Sequence, residues 1–354
     1  MSAIKPGYTR PLDLRHGRID MSHGSGGRSM VQLIEQIFLS AFDNPALAAR
    51  DDHAVLAAPP ELALGGRLVM ATDSHVVSPL FFPGGDIGCL SVHGTVNDVA
   101  MAGARPLWLS AGFILEEGFP LVDLQRIVAS MAQAAAEAGV PIVTGDTKVV
   151  QAGKGDGVFI NTTGVGVTRP GVHISGSLAR PGDAVLVSGT MGDHGVAVMS
   201  VREGLSFGTT LLSDTRSLHT LVAAMLDAVP GIHVLRDPTR GGLGATLNEI
   251  ASQSGVGIRL VESAIPVRGE VHAACELLGL DPLYVANEGK LLAICPADQA
   301  DALLTAMRAH PLGRDAARIG TVVDDPNHFV QMTTALGGQR MVDWLSGEQL
   351  PRIC

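Results

Sequence analysis

The sequence is poor in aromatic residues, which make up 4% of its 354 positions. That is too few for the ring platforms on which single-stranded nucleic acids stack. It also has no excess of positive charge: the formal net charge of −10 opposes binding to a phosphate backbone. Together these absences exclude nucleic acid as a partner. No apolar run approaches the roughly 20 residues of a membrane helix, so no membrane association is expected. The four cysteines, Cys89, Cys275, Cys295 and Cys354, form no Cys-x-x-Cys pair and no framework spacing. Reduced thiols in a cytoplasmic protein account for them most simply. The 12 histidines include no His-Glu-x-x-His and no His–Cys cluster, so zinc is not expected, and most histidines read as surface or core residues. Residues 1–20 mix Lys5, Arg10, Arg15 and Arg18 with prolines and lack an apolar h-region. They read as a polar leader, not a secretory signal.

What is present is a long, apolar, glycine-rich chain. Hydrophobic residues make up 46%, charged residues 17%, and glycine occurs 43 times. This composition describes a well-packed protein with many glycine-led turns, and its length suits two domains. Periodicity predicts helices over 29–38, 86–103 and 121–139, and strands over 51–56, 67–73, 106–115, 141–148 (running into a loop) and 157–168. The turn Arg169-Pro170-Gly171 marks a boundary. Beyond it, strands are expected at 183–189, 234–237, 257–261, 283–295 and 317–323. Helices are expected up to about 229, then through 252, near 271–278 and near 297–310. The fold class is α+β, a mixed α/β arrangement. The expected divisions are the leader 1–20, an N-terminal domain 21–169, a C-terminal domain 170–345 and a mobile tail 346–354.

Several side chains carry chemistry. Asp52, Asp73, Asp98, Asp146 and Asp237 each stand at the end of a predicted strand or helix. One such aspartate is ordinarily a cap or turn former. Five that converge suit Mg²⁺, a hard cation that takes carboxylate, water and phosphate oxygens. The turn Asp237-Pro238-Thr239-Arg240-Gly241-Gly242 offers a hydroxyl, a guanidinium and glycine amides ahead of a helix, all favourable to phosphate, although a plain connector has the same composition. His23-Gly24-Ser25-Gly26-Gly27 is a weaker phosphate-loop candidate, because it lacks the Gly-Lys-Ser/Thr of a P-loop. The chain closes on Pro351-Arg352-Ile353-Cys354, a thiol free to swing as far as its tether allows. Its reactivity is set by opposing neighbours, because a terminal carboxylate raises a thiol pKa and Arg352 lowers it.

Asp51-Asp52 with Ala54-Val55, Thr72-Asp73-Ser74, Asn97-Asp98 with Gly103, Thr144-Gly145-Asp146-Thr147 and the Asp237–Gly242 turn together resemble the ATP-binding superfamily of aminoimidazole ribonucleotide synthetase. Selenophosphate synthetase and thiamine monophosphate kinase belong to the same superfamily. Lys148, Asn287-Glu288-Gly289-Lys290 and the terminal Pro351-Arg352-Ile353-Cys354 narrow the resemblance to the hydrogenase maturation factor HypE family. It runs from about residue 15 to the end. Selenophosphate synthetases typically carry a reactive Cys or selenocysteine near the N-terminus, and no Cys precedes Cys89 here.

The resemblance implies an N-terminal domain forming a β-barrel across a homodimer, with ATP near that interface. It also implies a C-terminal α/β sandwich and a flexible tail that brings Cys354 to the ATP. A HypF-type carbamoyltransferase would carbamoylate Cys354. ATP would then dehydrate the thiocarbamate to a thiocyanate, and the cyanide would pass to iron on a HypC–HypD complex for [NiFe]-hydrogenase. By the same resemblance Cys354, Lys148 and Glu288 are the catalytic candidates. Asp52, Asp73, Asn97, Asp98, Asp146, Thr147, Asp237, Thr239, Arg240 and Gly241 would bind Mg²⁺-ATP, the five aspartates through the metal. Two rivals use the same residues otherwise: a small-molecule kinase or synthetase with Cys354 incidental, and a nonenzymatic ATP-gated scaffold.

Overall fold

The computed structural model describes residues 11–204, 211–345 and 352–354. The first half of the leader and positions 346–351 of the expected tail lie outside the described residues.

Two sheets organise the chain. The first contains β1 (Leu68–His75), β4 (Ala104–Glu116), β5 (Ile142–Val150) and β6 (Val158–Thr168), in the order β1-β6-β4-β5. A small hairpin, β2 (Phe81–Phe82) with β3 (Gly85–Asp86), leads into α3 (Ile87–Met101). The side chain of Asp86 caps that helix by accepting the amides of Gly88 and Cys89 at 2.8 and 3.1 Å. Helix α3 is buried almost all round, as a core helix must be when it is apolar on every side. It packs with α4 (Leu121–Ala138) against one face of the sheet. Strands β4 and β5 are parallel, and α4 is their crossover. Helix α1 (Arg28–Leu33), continued by a π-helical turn over Ile34–Leu39, covers part of the same face. The short α2 (Pro45–Ala48) follows it.

The second sheet has the order β13-β12-β9-β11-β7-β10-β8. Its strands are β7 (Ala184–Val187), β8 (Val234–Arg236), β9 (Gly257–Val261), β10 (Leu292–Cys295), β11 (Ala317–Val323), β12 (Val330–Thr333) and β13 (Gln339–Met341). All neighbours are antiparallel except β12 with β9. Apolar clusters line both faces. One is built on α7 (Gly242–Ser254), the other on α6 (His219–Ala228) and α9 (Ala300–Ala309). Helices α5 (Asp193–Arg202) and α8 (Gly269–Leu278) pack together beside them. The class is a two-sheet mixed α/β fold.

Two expectations need correction. Residues 51–56 form no strand: no neighbouring chain pairs with them, and Val55 is 84% exposed. The 283–295 strand shrinks to Leu292–Cys295, because 285–291 spend their polar groups on loop contacts. The strand expected over 141–148 forms as β5, which runs on to Val150 and pairs with β4. Among the described residues the first sheet is open, with β1 and β5 as its edges, and no barrel closes within one chain.

Candidate functional site

The register of the first sheet decides which aspartates meet. Asp73 pairs with Thr162, which pairs with Ala111, which pairs with Gly145. Asp146 lies one residue further, opposite Gly112. Because side chains alternate between faces, Asp73 looks toward α3 and Asp146 looks out from the open face. The two stand on opposite edge strands, about 14 Å apart at 4.8 Å per strand.

On the helix side, close approach brings the acids together. A Cβ added to Gly94 of α3 would lie 3.1 Å from the His75 ring and 3.5 Å from Asp73 Oδ2, so glycine is what lets α3 sit on β1 here. One turn further along α3, Asp98 comes among Asp73, Asp237, Arg236 and Arg240. Burial and then the Asp237 and Asp73 charges push Asp98 up to about 8, against the pull of the two arginines. Burial, opposed by its own backbone amide and by Arg236, and with Asp73 adding, pushes Asp237 up to about 6. Glu288 is buried and raised well above an ordinary carboxyl, by burial first and then by Asp237, Asp214, Asp73 and Asp98. Its Oε1 has no hydrogen-bond partner. His75, buried beside Asp73 with its Nε2 3.7 Å from Oδ2, also leaves both ring nitrogens unpartnered. Burial holds its imidazole neutral, Asp73 opposing and Arg240 adding.

Two buried asparagines fix this geometry. Asn97 donates to the carbonyls of Arg216 (2.9 Å) and Glu288 (3.1 Å), and accepts the amide of Leu218 at 2.7 Å. Its amide is thus spent on pinning Glu288 to α3. Asn287 donates to the carbonyls of Pro238 and Val285 at 2.9 and 3.1 Å, and accepts the amide of Gly192 at 2.7 Å. It binds the Asp237 turn, the start of α5 and the Glu288 loop into one unit. Satisfied buried amides of this kind rigidify a site. The turn itself needs glycine. Gly241 and Gly242 have φ of +77° and +60°, and a Cβ on Gly242 would lie 2.6 Å from the Leu283 carbonyl oxygen. Thr239 and Arg240 open this turn ahead of α7.

Residues 352–354 lie against this cluster. The amides of Val76 and Ser78 donate to the carbonyls of Cys354 (3.2 Å) and Arg352 (3.1 Å), as an antiparallel pair would. Arg352 Nε returns a bond to the Val76 carbonyl at 3.1 Å, and its guanidinium pairs with Asp156. Ile353 is 2% exposed and belongs to the core cluster of the first sheet. Burying it stabilises this position by about 1.5–3 kcal/mol. Ordering three backbone residues costs about 1–2 kcal/mol each, so the polar contacts decide the balance. Burial and then Glu288 push the Cys354 thiol far above its ordinary range, with Asp73 and Asp237 adding and Arg240 opposing. A neutral thiol is a poor nucleophile.

The other expected residues gather elsewhere. Asp52, Asp146 and Thr147 line a cavity of about 400 Å³ together with Met30, Phe38 and Phe113. Lys148 Nζ bonds Asp146 Oδ1 at 2.7 Å and holds that carboxyl below the usual range. Asp73, Asp98, Asp237, Glu288, Arg240 and Cys354 therefore form one site, and Asp52, Asp146, Thr147 and Lys148 another. Among the described residues no group of three His, Cys, Asp or Glu is close enough to hold a metal ion by protein ligands alone. The donor set nevertheless suits Mg²⁺, which is held by one or two carboxylates with phosphate and water completing its shell. Mutually repelling carboxyls and the orphaned Glu288 oxygen lack a cation's charge.

Residue type and spacing did not single out His194, Ser213, Asp214 or Arg202. Asp214 accepts the Glu288 amide at 3.0 Å and pairs with Lys290 at 3.1 Å, supporting the buried glutamate from behind. The only signal was local, a histidine between glycines in Gly192-Asp193-His194-Gly195.

Residues 50–168 match the N-terminal domain, and residues 180–333 the C-terminal domain, of the AIR synthase related proteins. A carbamoyl dehydratase HypE of Cupriavidus necator is 70% identical over 351 residues, covering 99% of both chains. A crystal structure of the hydrogenase maturation protein HypE in complex with ATP superposes with a TM-score of 0.90 at 53% identity, covering 94% of this chain and 99% of that one. A HypE–HypF complex gives 0.77 at 50% identity, covering 88% and 99%. Cys354 tucked among carboxylates, on two domains that both match, places the chain in the HypE family of the AIR synthase related proteins.

Proposed function

We propose that the protein is an ATP-dependent dehydratase of its own S-carbamoylated Cys354, supplying the cyanide ligand for the iron of [NiFe]-hydrogenase. The observation that carries this is the seating of Cys354 against Glu288, Asp73, Asp237 and Arg240. The ATP-bound HypE relative and the HypE–HypF complex support ATP as co-substrate and a HypF-type enzyme as carbamoyl donor.

The reaction balances as follows. The carbamoyl oxygen on Cys354 attacks the γ-phosphorus of ATP, ADP departs, and one N–H proton leaves. The C–O bond then breaks, expelling phosphate with the original carbamoyl oxygen, while the second N–H proton leaves and a C≡N bond forms. One of the two protons goes out on the phosphate and the other to solvent. Glu288 is the group suited to take a proton at the tail, because its raised carboxyl is a stronger base than an ordinary one. The Arg240 guanidinium and the glycine amides of the Asp237 turn face the phosphates. Asp73, Asp98 and Asp237 would hold Mg²⁺, which neutralises phosphate charge when bound. Asn97, Asn287 and Asp214 keep Glu288 in place.

Asp52, Asp146, Thr147 and Lys148 enter the same reaction if two copies pair. The open face of the first sheet supports a homodimer: Leu68, Met70 and Ile114 are 59%, 74% and 45% exposed along it. Completion of a barrel across two such faces would bring the second copy's Lys148 edge toward the ATP. The thiol, neutral when seated, would be carbamoylated with the tail outside this pocket, and a HypC–HypD complex would accept the cyanide from it there. This scheme uses 21–169 and 170–345 as its two domains, with the tail as the moving part.

Intact mass tests it. Incubation with ATP, Mg²⁺, carbamoyl phosphate and a HypF-type carbamoyltransferase should give a carbamoyl adduct on wild type that loses water only with ATP, and no adduct on Cys354→Ala. Unmodified protein that consumes ATP on an added small acceptor would replace this function with a kinase.

A further inference from the structure

His194 is wholly buried at the start of α5, yet no step above uses it. Its Nδ1 lies 2.8 Å from Ser213 Oγ and its Nε2 lies 2.9 Å from the carbonyl oxygen of Ile353. The Ile353 carbonyl can only accept, so the ring proton sits on Nε2 and is donated to it. Nδ1 then accepts from the Ser213 hydroxyl, whose oxygen also accepts the Thr215 amide at 3.1 Å. Arg352 has a φ of +54°, so the tail is no regular strand, and only its alternate carbonyls meet the Val76–Ser78 segment. Those of Arg352 and Cys354 are taken by Ser78 and Val76. The Ile353 carbonyl points the other way, where no strand follows, and His194 fills that place. Arg202 adds a bond to the Arg352 carbonyl at 2.8 Å and one to Ser78 at 3.1 Å. A tail gripped along one edge only can slip by a residue, which would turn Cys354 to the wrong side.

We propose that His194 is a positioning residue for the ATP-dependent step: with Ser213 behind it, its Nε2–H locks the Ile353 carbonyl and so fixes the register in which Cys354 meets Glu288. The loop that carries Ser213 also carries Asp214, which holds the Glu288 amide, so one segment sets both the tail and the glutamate. This rests on the dehydratase function proposed above.

The test uses the full chain with its carbamoyltransferase. His194→Phe keeps the ring volume and removes both bonds, whereas His194→Gln restores an N–H near the Nε2 position. For His194→Phe we expect hydrogen exchange at the Val76 and Ser78 amides to quicken by about tenfold or more, and carbamoylation of Cys354 to proceed at least as fast as in wild type. Conversion to thiocyanate at saturating ATP should slow by about tenfold or more, the consequence of losing a buried bond. KM for ATP should not change, and His194→Gln should recover most of the rate. Wild-type conversion by His194→Phe, or a His194→Gln as slow as His194→Phe, overturns the proposal. Should His194→Phe fail to fold, Ser213→Ala carries the same readouts, with smaller shifts in the same direction, and unchanged exchange and conversion there overturn it. If wild type forms no thiocyanate, the dehydratase function falls. Exchange at Val76 and Ser78 then still decides whether His194 seats the tail.

Discussion

The two edges of the first sheet carry the same residue in different surroundings. On β1, Asp73 lies under α3 beside Asp98, whose carboxyl burial and the neighbouring Asp237 and Asp73 charges push up to about 8. On β5, Asp146 is 63% exposed, bonded to an equally exposed Lys148, and held below the usual range. The motif Thr-Gly-Asp-Thr around one and Thr-Asp-Ser around the other do not foretell this difference. It follows from which face each residue presents and what is packed there. One edge lies in a buried cluster of carboxyls, and the other is an open ion pair.

The largest effect that would sharpen this contrast is at Glu288. Glu288→Gln should slow conversion of carbamoyl-Cys354 to thiocyanate by about 10²–10⁴-fold, the usual range for a lost general base. Carbamoylation should continue, and an intact-mass time course separates the two steps. Next comes the far edge. Lys148→Ala should slow the same step if both edges serve one reaction. Mixing Lys148→Ala with Glu288→Gln protein, each inactive alone, should then restore about a quarter of wild-type conversion, because half of random pairs are mixed and each mixed pair has one intact site. No recovery would confine the site to one chain.

A third prediction concerns pH. Asp98 and Asp237, with folded values of about 8 and about 6, hold protons that the unfolded chain releases near 3.9. Their contribution to stability is complete below the unfolded value and is lost as pH rises through about 6 and then about 8. Metal-free protein should therefore lose on the order of a few kcal/mol between about pH 4 and about pH 8 in urea unfolding. Asp98→Asn should flatten that slope. Asp146 has the opposite sign: its lowered carboxyl favours the fold above its unfolded value and loses that contribution as pH falls. Asp146→Asn should leave the neutral-pH slope intact. The smallest effect is at the rim. Asp156 pairs with Arg352 with both side chains nearly half exposed, so Asp156→Asn should change exchange at Val76 and Ser78 by no more than about threefold, as for other exposed ion pairs.

Much of the fold was legible in the sequence. Helices α3 and α4 and strands β1, β4, β6, β9 and β11 fall within a few residues of their predicted spans, because strong periodicity and glycine or proline punctuation fix them locally. The misses are where tertiary context rules. Residues 51–56 have strand composition but no partner to pair with, and β12 and β13 are short strands that exist only because β9 offers an edge. Asp73, Asp98, Asp237, Glu288 and Cys354, singled out by residue type and motif, lie together in one cluster. Asn97, expected to touch the nucleotide, instead spends its amide inside the protein.

The sequence by itself determined the family, the element order and the candidate reacting groups, since motifs and short-range patterns are properties of neighbouring residues. Only the tertiary structure decided which aspartates meet, that Glu288 is buried and raised, and that His194 grips the tail. Those depend on strand register, on helix approach and on contacts such as that between Val76 and Arg352, 276 positions apart, which no local pattern encodes.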